Sequence, residues 1–166
     1  MTTHNLTTTP DLTAAEKRVA NALSAHGLPA RIIVHEELAT TAQMAAAALG
    51  VEIGRIVKSL VFRGAQSGTP YLLLVSGDNR VHEKRVGRLV GEPLERSDAD
   101  FVKLHTGFSI GGVSPFGHPA PLATYIDQHL FDYATVWAAA GNPRSVFEIT
   151  AEDLLRTTGA TRIDVT

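Results

Sequence analysis

Apolar positions recur along this chain with two periods. Leu12, Val19, Ala20, Leu23 and His26 keep helical spacing, with Thr13 at an N-cap position, Glu16 three residues on and Gly27 at the end, which predicts a first helix. Residues 30–35 are apolar and β-branched and predict a strand. Residues 40–49 are Ala-rich and predict a helix that Gly50 stops. Strands follow over 55–63 and 71–75, then a turn at Ser76-Gly77-Asp78-Asn79, then helices over 81–90 and 97–105. Short strands are predicted over 123–126, 135–139 and 145–149, with a turn at Gly141-Asn142-Pro143 between the last two. Thr150 caps a last helix through Leu155, and residues 161–165 read as a final edge strand. Strands and helices interleave irregularly, with hairpin-like pairs, which favours a mixed α/β sheet over a regular doubly wound one. Residues 1–11 have little to bury and read as a flexible tail, leaving 12–166 as one domain without internal repeat or linker.

Between the fourth predicted helix and the late strands the periodicity stops. Residues 107–119 hold four of the fourteen glycines and two of the eight prolines, with Ser114 and His118 among them. Glycine opens conformations closed to other residues and lets a second molecule approach the main chain, while proline fixes φ. The run reads as a stiff loop with exposed amides, or as a tight connection between two strands.

Composition narrows the field. Hydrophobic residues make up 44% of the 166 and charged residues 19%, as in a soluble globular domain. Fifteen Lys and Arg stand against seventeen Asp and Glu, so the chain is no polycation, though a local basic patch stays open. Cysteine is absent, which removes disulfides, thiolate nucleophiles and Cys-bound zinc and fits a cytoplasmic location. The Thr-rich start is unlike a signal peptide, and no apolar run approaches the ~20 residues that span a bilayer.

Lys58 is the most informative single residue. On a strand it shares a face with Ile56, Leu60 and Phe62, the bulkier and expectedly inner face. A lysine placed so needs a partner from elsewhere in the chain or an anionic ligand, unless it guards a strand edge or reaches out to water. Two familiar motifs fail. Gly54 and Lys58-Ser59 suggest a P-loop, but Val57 occupies the position of the glycine before the lysine. Residues 112–116 suggest a nucleophile elbow, but Phe116 replaces its second glycine and Pro115 holds Ser114 extended. The seven histidines show no metal-ligand spacing. Arg80, Lys84 and Arg88 fall at i, i+4 and i+8; on a helix they form one basic ridge that grips phosphates or faces water.

Three places in this pattern resemble the YbaK/ProX family of aminoacyl-tRNA deacylases, which includes the editing domain inserted in bacterial prolyl-tRNA synthetases. Ile56-Val57-Lys58-Ser59-Leu60 is similar to the family's strand with its functional lysine. Residues 106–117, with Gly111 and Pro115 as its Gly-x-x-x-Pro element, resemble the signature loop. Ala139-Ala140-Gly141, Phe147-Glu148-Ile149 and Asp153-Leu154 resemble the C-terminal hairpin and helix. Where some members carry an Asp in that hairpin, this chain has Val146, with Glu148 two residues on. The resemblance implies a central, mostly antiparallel sheet flanked by helices, and hydrolysis of the ester between a wrong amino acid and a tRNA 3′ end. It implies Lys58 and Gly112 as catalytic residues, Lys58 holding a phosphate or carbonyl oxygen and backbone amides near Gly111 and Gly112 facing the oxyanion. Gly111, Val113, Ser114, Pro115, Gly117 and His118 are implied to contact substrate. No cofactor or metal is implied, and the partners are a mischarged tRNA and, for tRNA selection, a synthetase. Two other readings stand beside it: an RNA-3′-end or nucleotide-binding module without turnover, and a metal-dependent hydrolase.

Overall fold

The computed structural model describes residues 5–7 and 11–166. Thr13 opens α1 (Ala14–Ala25) with a complete capping box: its Oγ1 accepts from Glu16 N at 3.1 Å, and Glu16 Oε1 accepts from Thr13 N at 2.8 Å. β2 (Ile32–Val34), α2 (Ala42–Leu49), β3 (Val57–Gly64), β4 (Pro70–Ser76) and α3 (Glu83–Val90) follow. β5 (Leu94–Arg96) and α4 (Ala99–Thr106) precede the glycine loop. After it come β6 (Ala123–Asp127), β7 (Val136–Ala139), β8 (Ser145–Ile149), α5 (Ala151–Thr158) and β9 (Thr161–Ile163). Within the 1–11 segment β1 (Asn5–Thr7) pairs antiparallel with β2; residues 1–4 and 8–10 lie outside the described residues.

The fold is mixed α/β, with antiparallel pairings in the majority. The strands divide between two sheets, ordered β1-β2-β8-β7 and β5-β3-β4-β6-β9, where one was expected. β6 lies parallel to β4 and β9 parallel to β6; all other strand pairings are antiparallel. An isolated bridge between Ile56 and Trp137 joins the two sheets.

Alternation along β4 explains why both faces of the larger sheet are covered. Leu72 and Leu74 enter the main core with Val57, Val102 of α4, and Val19 and Leu23 of α1. Leu73 and Val75 enter a second core with Phe62, Val86 of α3 and Val165. The single inner face expected for β3 is therefore two. Val57 takes the main core, while Lys58 shares its face with Leu60 and Phe62 under the second. β3 pairs with β4 along its length but with β5 only at Phe62 to Gly64. One edge of residues 57–61 thus has no strand partner among the described residues. Among these residues no helix is long and apolar enough to cross a membrane.

Candidate active site

The open edge of β3 borders a cavity of about 840 Å³. Lys58, Arg80 and Arg96 line it, as do Gly111 and Val113 of the glycine loop. Ala45 of α2, with Ala138, Ala139 and Val146 of the β7–β8 hairpin, adds apolar wall.

Lys58 finds its partner 21 residues away. Its Nζ donates to the Asn79 carbonyl at 2.5 Å. Burial pushes the ammonium below the usual lysine range and Arg80 adds to this, while Asp127 and Asp78 oppose it. Asn79 is itself held: its Nδ2 donates to Asp127 Oδ2 at 2.8 Å. Asp127 is 1% exposed and also accepts from Ser76 N at 3.0 Å and His129 N at 3.0 Å.

The loop begins where α4 ends in Gly107, left-handed at φ 77°. Arg18 of α1 fixes this start. Its Nη2 donates to the Gly107 carbonyl at 2.6 Å, and its guanidinium lies 4.5 Å from the centre of the buried Phe108 ring. Gly112 N donates to Ser109 O at 3.0 Å, so this amide is already engaged within the loop. A Cβ on Gly112 would stand 2.4 Å from Asn142 Cα, so the glycine allows the loop to meet the β7–β8 turn. The amides of Gly111 and Val113 make no backbone hydrogen bond among the described residues, and both residues line the cavity.

Ser114, Pro115, Gly117 and His118, read from the sequence as substrate contacts, stand behind that wall. Ser114 is 0% exposed and its Oγ accepts from Phe116 N at 3.4 Å. His118 Nε2 donates to the Ser114 carbonyl at 2.7 Å, and burial holds its ring below the usual histidine range. Gly117, at φ 83°, packs beside Arg18. These residues give the loop its shape.

The β7–β8 turn is braced from the same helix as the loop. Glu16, 3% exposed, accepts from Asn142 Nδ2 at 2.7 Å and from the Ser145 hydroxyl. Burial alone would raise the Glu16 carboxyl, but hydrogen bonds from Ser145, Thr13 and Asn142 outweigh it and hold the group below the usual carboxylate range. One turn of α1 therefore grips both walls, through Glu16 and Arg18.

The basic ridge divides. His82 caps α3, its Nδ1 accepting from Arg85 N at 3.2 Å, so Arg80 precedes the helix and lies at the cavity. Lys84 and Arg88 remain exposed on α3, away from it. Glu148 turns away from the cavity toward Arg55 at 3.5 Å and Thr135 at 2.5 Å, whereas Val146 lines it. Sequence reasoning missed Asn79, Asp127, Arg18 and Arg96. The signal for Asp127 was an acid directly after an apolar strand; for Arg96 there was none.

Comparison with known proteins bears on this arrangement. The sequence model of the family described as "Aminoacyl-tRNA editing domain" matches residues 35–157. The uncharacterised protein YwhH of Bacillus subtilis (strain 168) is 34% identical over 119 residues, 72% of this chain and 75% of its own. EbsC of Enterococcus faecalis, provisionally named a Cys-tRNA(Pro)/Cys-tRNA(Cys) deacylase, is 28% identical over 127 residues, 76% of this chain and 77% of its own. A solved structure provisionally described as a trans-editing enzyme for prolyl-tRNA synthetase superposes with a TM-score of 0.88 at 44% identity, covering 94% of this chain and 99% of that one.

Proposed function

The chain belongs to the aminoacyl-tRNA editing domain family, and on that premise we propose that it is a trans-editing deacylase that hydrolyses the ester of a mischarged tRNA, in the manner of prolyl-tRNA editing. The observation that carries the reading is one juxtaposition: Lys58 and Arg80 line the same cavity as Gly111 and Val113. The two cations suit a phosphate of the tRNA 3′ end. The amides of Gly111 and Val113 suit the acyl oxygen on which charge develops, the role first assigned to Gly112; such a donor is worth about 10²–10³-fold in rate. An aminoacyl ester is already activated, so no protein nucleophile is required. Water adds to the acyl carbon, the bond to the ribose oxygen breaks, and that oxygen takes up a proton, with the vicinal ribose hydroxyl orienting the water. The acyl side chain lies against Ala138, Ala139 and Val146. Because one methylene in such a pocket is worth only about 1–3 kcal/mol, these walls select by excluding large groups. The work is cytoplasmic, on charged tRNA, and the choice of tRNA draws on a partner synthetase.

Deacylation of a panel of mischarged tRNAs tests this. Turnover of at least one member, with most of it lost in a folded Lys58→Ala variant, is expected. Binding without turnover across the whole panel would instead favour an RNA-3′-end binding module using the same cleft.

A further inference from the structure

Lys58 is the end of a chain of contacts that starts at a buried carboxylate. Asp127 lies at the C-terminal end of β6, 1% exposed, and accepts hydrogen bonds from Ser76 N, His129 N and Asn79 Nδ2. The first two fasten Asp127 to the end of β4 and to the short 3₁₀ turn Gln128–Asp132. The third fastens the turn after β4, because Asn79 has no other role for its side chain among the described contacts. The Asn79 carbonyl then receives the Lys58 ammonium at 2.5 Å. A lysine stem has four rotatable carbons, and an ammonium held by one carbonyl is only as well placed as that carbonyl. Without Asp127 the start of the turn is still held by Gly77 N to Ile56 O at 2.7 Å and Ser76 Oγ to Gly54 O at 2.7 Å, but Asn79 itself keeps, besides Lys58, only its N to Ser76 O bond at 2.9 Å to set the direction of its carbonyl.

We propose that Asp127 is a positioning residue for Lys58, acting through the side chain of Asn79. The proposal rests on Lys58 being the working cation of the site. Asp127 also acts on Lys58 by charge. The charged groups facing that ammonium are Arg80, which disfavours its protonated form, and Asp127 and Asp78, which favour it. Removing the Asp127 charge therefore lowers the pH at which Lys58 loses its proton.

Asn79→Ala is the gentler test, because it keeps the carbonyl and removes only the link to Asp127. Asp127→Asn removes the charge and is checked for folding by circular dichroism. Three measurements are made on each: kcat and KM for the best substrate of the panel, the same constants with Lys58→Ala added, and the titration of the Lys58 ammonium by nitrogen NMR. A catalytic group displaced by about 1 Å can cost up to about 10²-fold in rate, so Asn79→Ala is expected to lower kcat by that order at little-changed KM. Adding Asn79→Ala to Lys58→Ala is expected to cause no further loss. The Lys58 titration is expected to move to lower pH in Asp127→Asn. Equal losses from Asn79→Ala with and without Lys58 would overturn the proposal, as would parental kcat in Asn79→Ala, whatever the titration in Asp127→Asn shows. Should Asp127→Asn fail to fold, Asn79→Ala decides alone through the kcat and double-variant readings. If Lys58→Ala is itself fully active, the reading of Lys58 fails, while the titration still reports whether Asp127 holds it; the two failures are thereby separate.

Discussion

Gly112→Ala is the sharpest test of how the cavity wall is built. Gly112 is not among the glycines with positive φ, so its backbone conformation is open to alanine. The whole effect must come from the added methyl group. Its carbon would sit 2.4 Å from Asn142 Cα, 2.7 Å from Asn142 N and 2.9 Å from Gly141 C. Carbon atoms at rest stand about 3.5–4.0 Å apart, so the loop and the turn must separate by roughly 1 Å. Neither yields easily: the turn is bonded to buried Glu16, and the start of the loop is held by Arg18. Overpacking of this kind costs about 1–3 kcal/mol, which in a domain of this size lowers Tm by roughly 2–4 °C for each kcal/mol. The amides of Gly111 and Val113 would shift with the loop, and misplacement on that scale can cost up to about 10²-fold in rate. Thermal melting and deacylation kinetics measure the two parts separately. Gly111→Ala is the control, because there the new carbon would meet Pro143 at 3.5 Å, an ordinary contact, and the strain is confined to a φ of 93°. A Gly112→Ala protein that melts and turns over like the parent would refute this account of the wall.

Ser114→Ala should lower Tm slightly, through loss of the Phe116 N hydrogen bond, and leave kcat within a few-fold of the parent; an acyl-enzyme trapped on Ser114 would contradict its place behind the wall. Neutralising Arg80 should weaken tRNA binding and flatten its salt dependence more than neutralising Lys84 or Arg88, since only Arg80 borders the cavity. Equal salt slopes for all three variants would show that the cavity does not set the phosphate contacts. Glu16 has a folded-state pKa below its ordinary value, so its contribution to stability is present above the ordinary carboxylate range. That contribution is lost as pH falls through the lower folded value. Melting temperature against pH should therefore fall less steeply on the acid side in Glu16→Gln than in the parent, and parallel curves would exclude Glu16 as a source of the acid limb.

Local rules made much of the fold legible. The Thr13–Glu16 box, the Gly27 and Gly50 stops and the alternation through β3 and β4 are written in spacings of two to four residues, and the elements stand where those spacings put them. β5 was illegible because Leu94, Glu95 and Arg96 are too few to alternate and lie largely exposed, so only pairing with β3 makes them a strand. The parallel placement of β6 beside β4 follows from how the intervening chain crosses over, which periodicity does not encode. In the site, Lys58 could be singled out as a cation on an apolar strand, but its partner is a main-chain carbonyl, and a carbonyl has no sequence signature. The same holds for Gly112: a glycine-rich loop announces close approach without naming what approaches, and the neighbour is the backbone of Asn142, thirty residues on. Arg80 left the expected ridge because His82 caps α3 and starts it later than the pattern suggested.

The grip of α1 on both walls bears on how portable this cavity is. The stretch that defines the family spans residues 35–157 and contains Lys58, the glycine loop and the β7–β8 turn, so on paper it is a complete module for grafting into a host enzyme. Glu16 and Arg18 lie outside it, as do Val19 and Leu23 of the main core. A graft limited to the family stretch would carry the cavity walls without their brace. A host that accepts it must supply, from its own chain, an acid for Asn142 and Ser145, a donor for the Gly107 carbonyl and an apolar helix face to close the core.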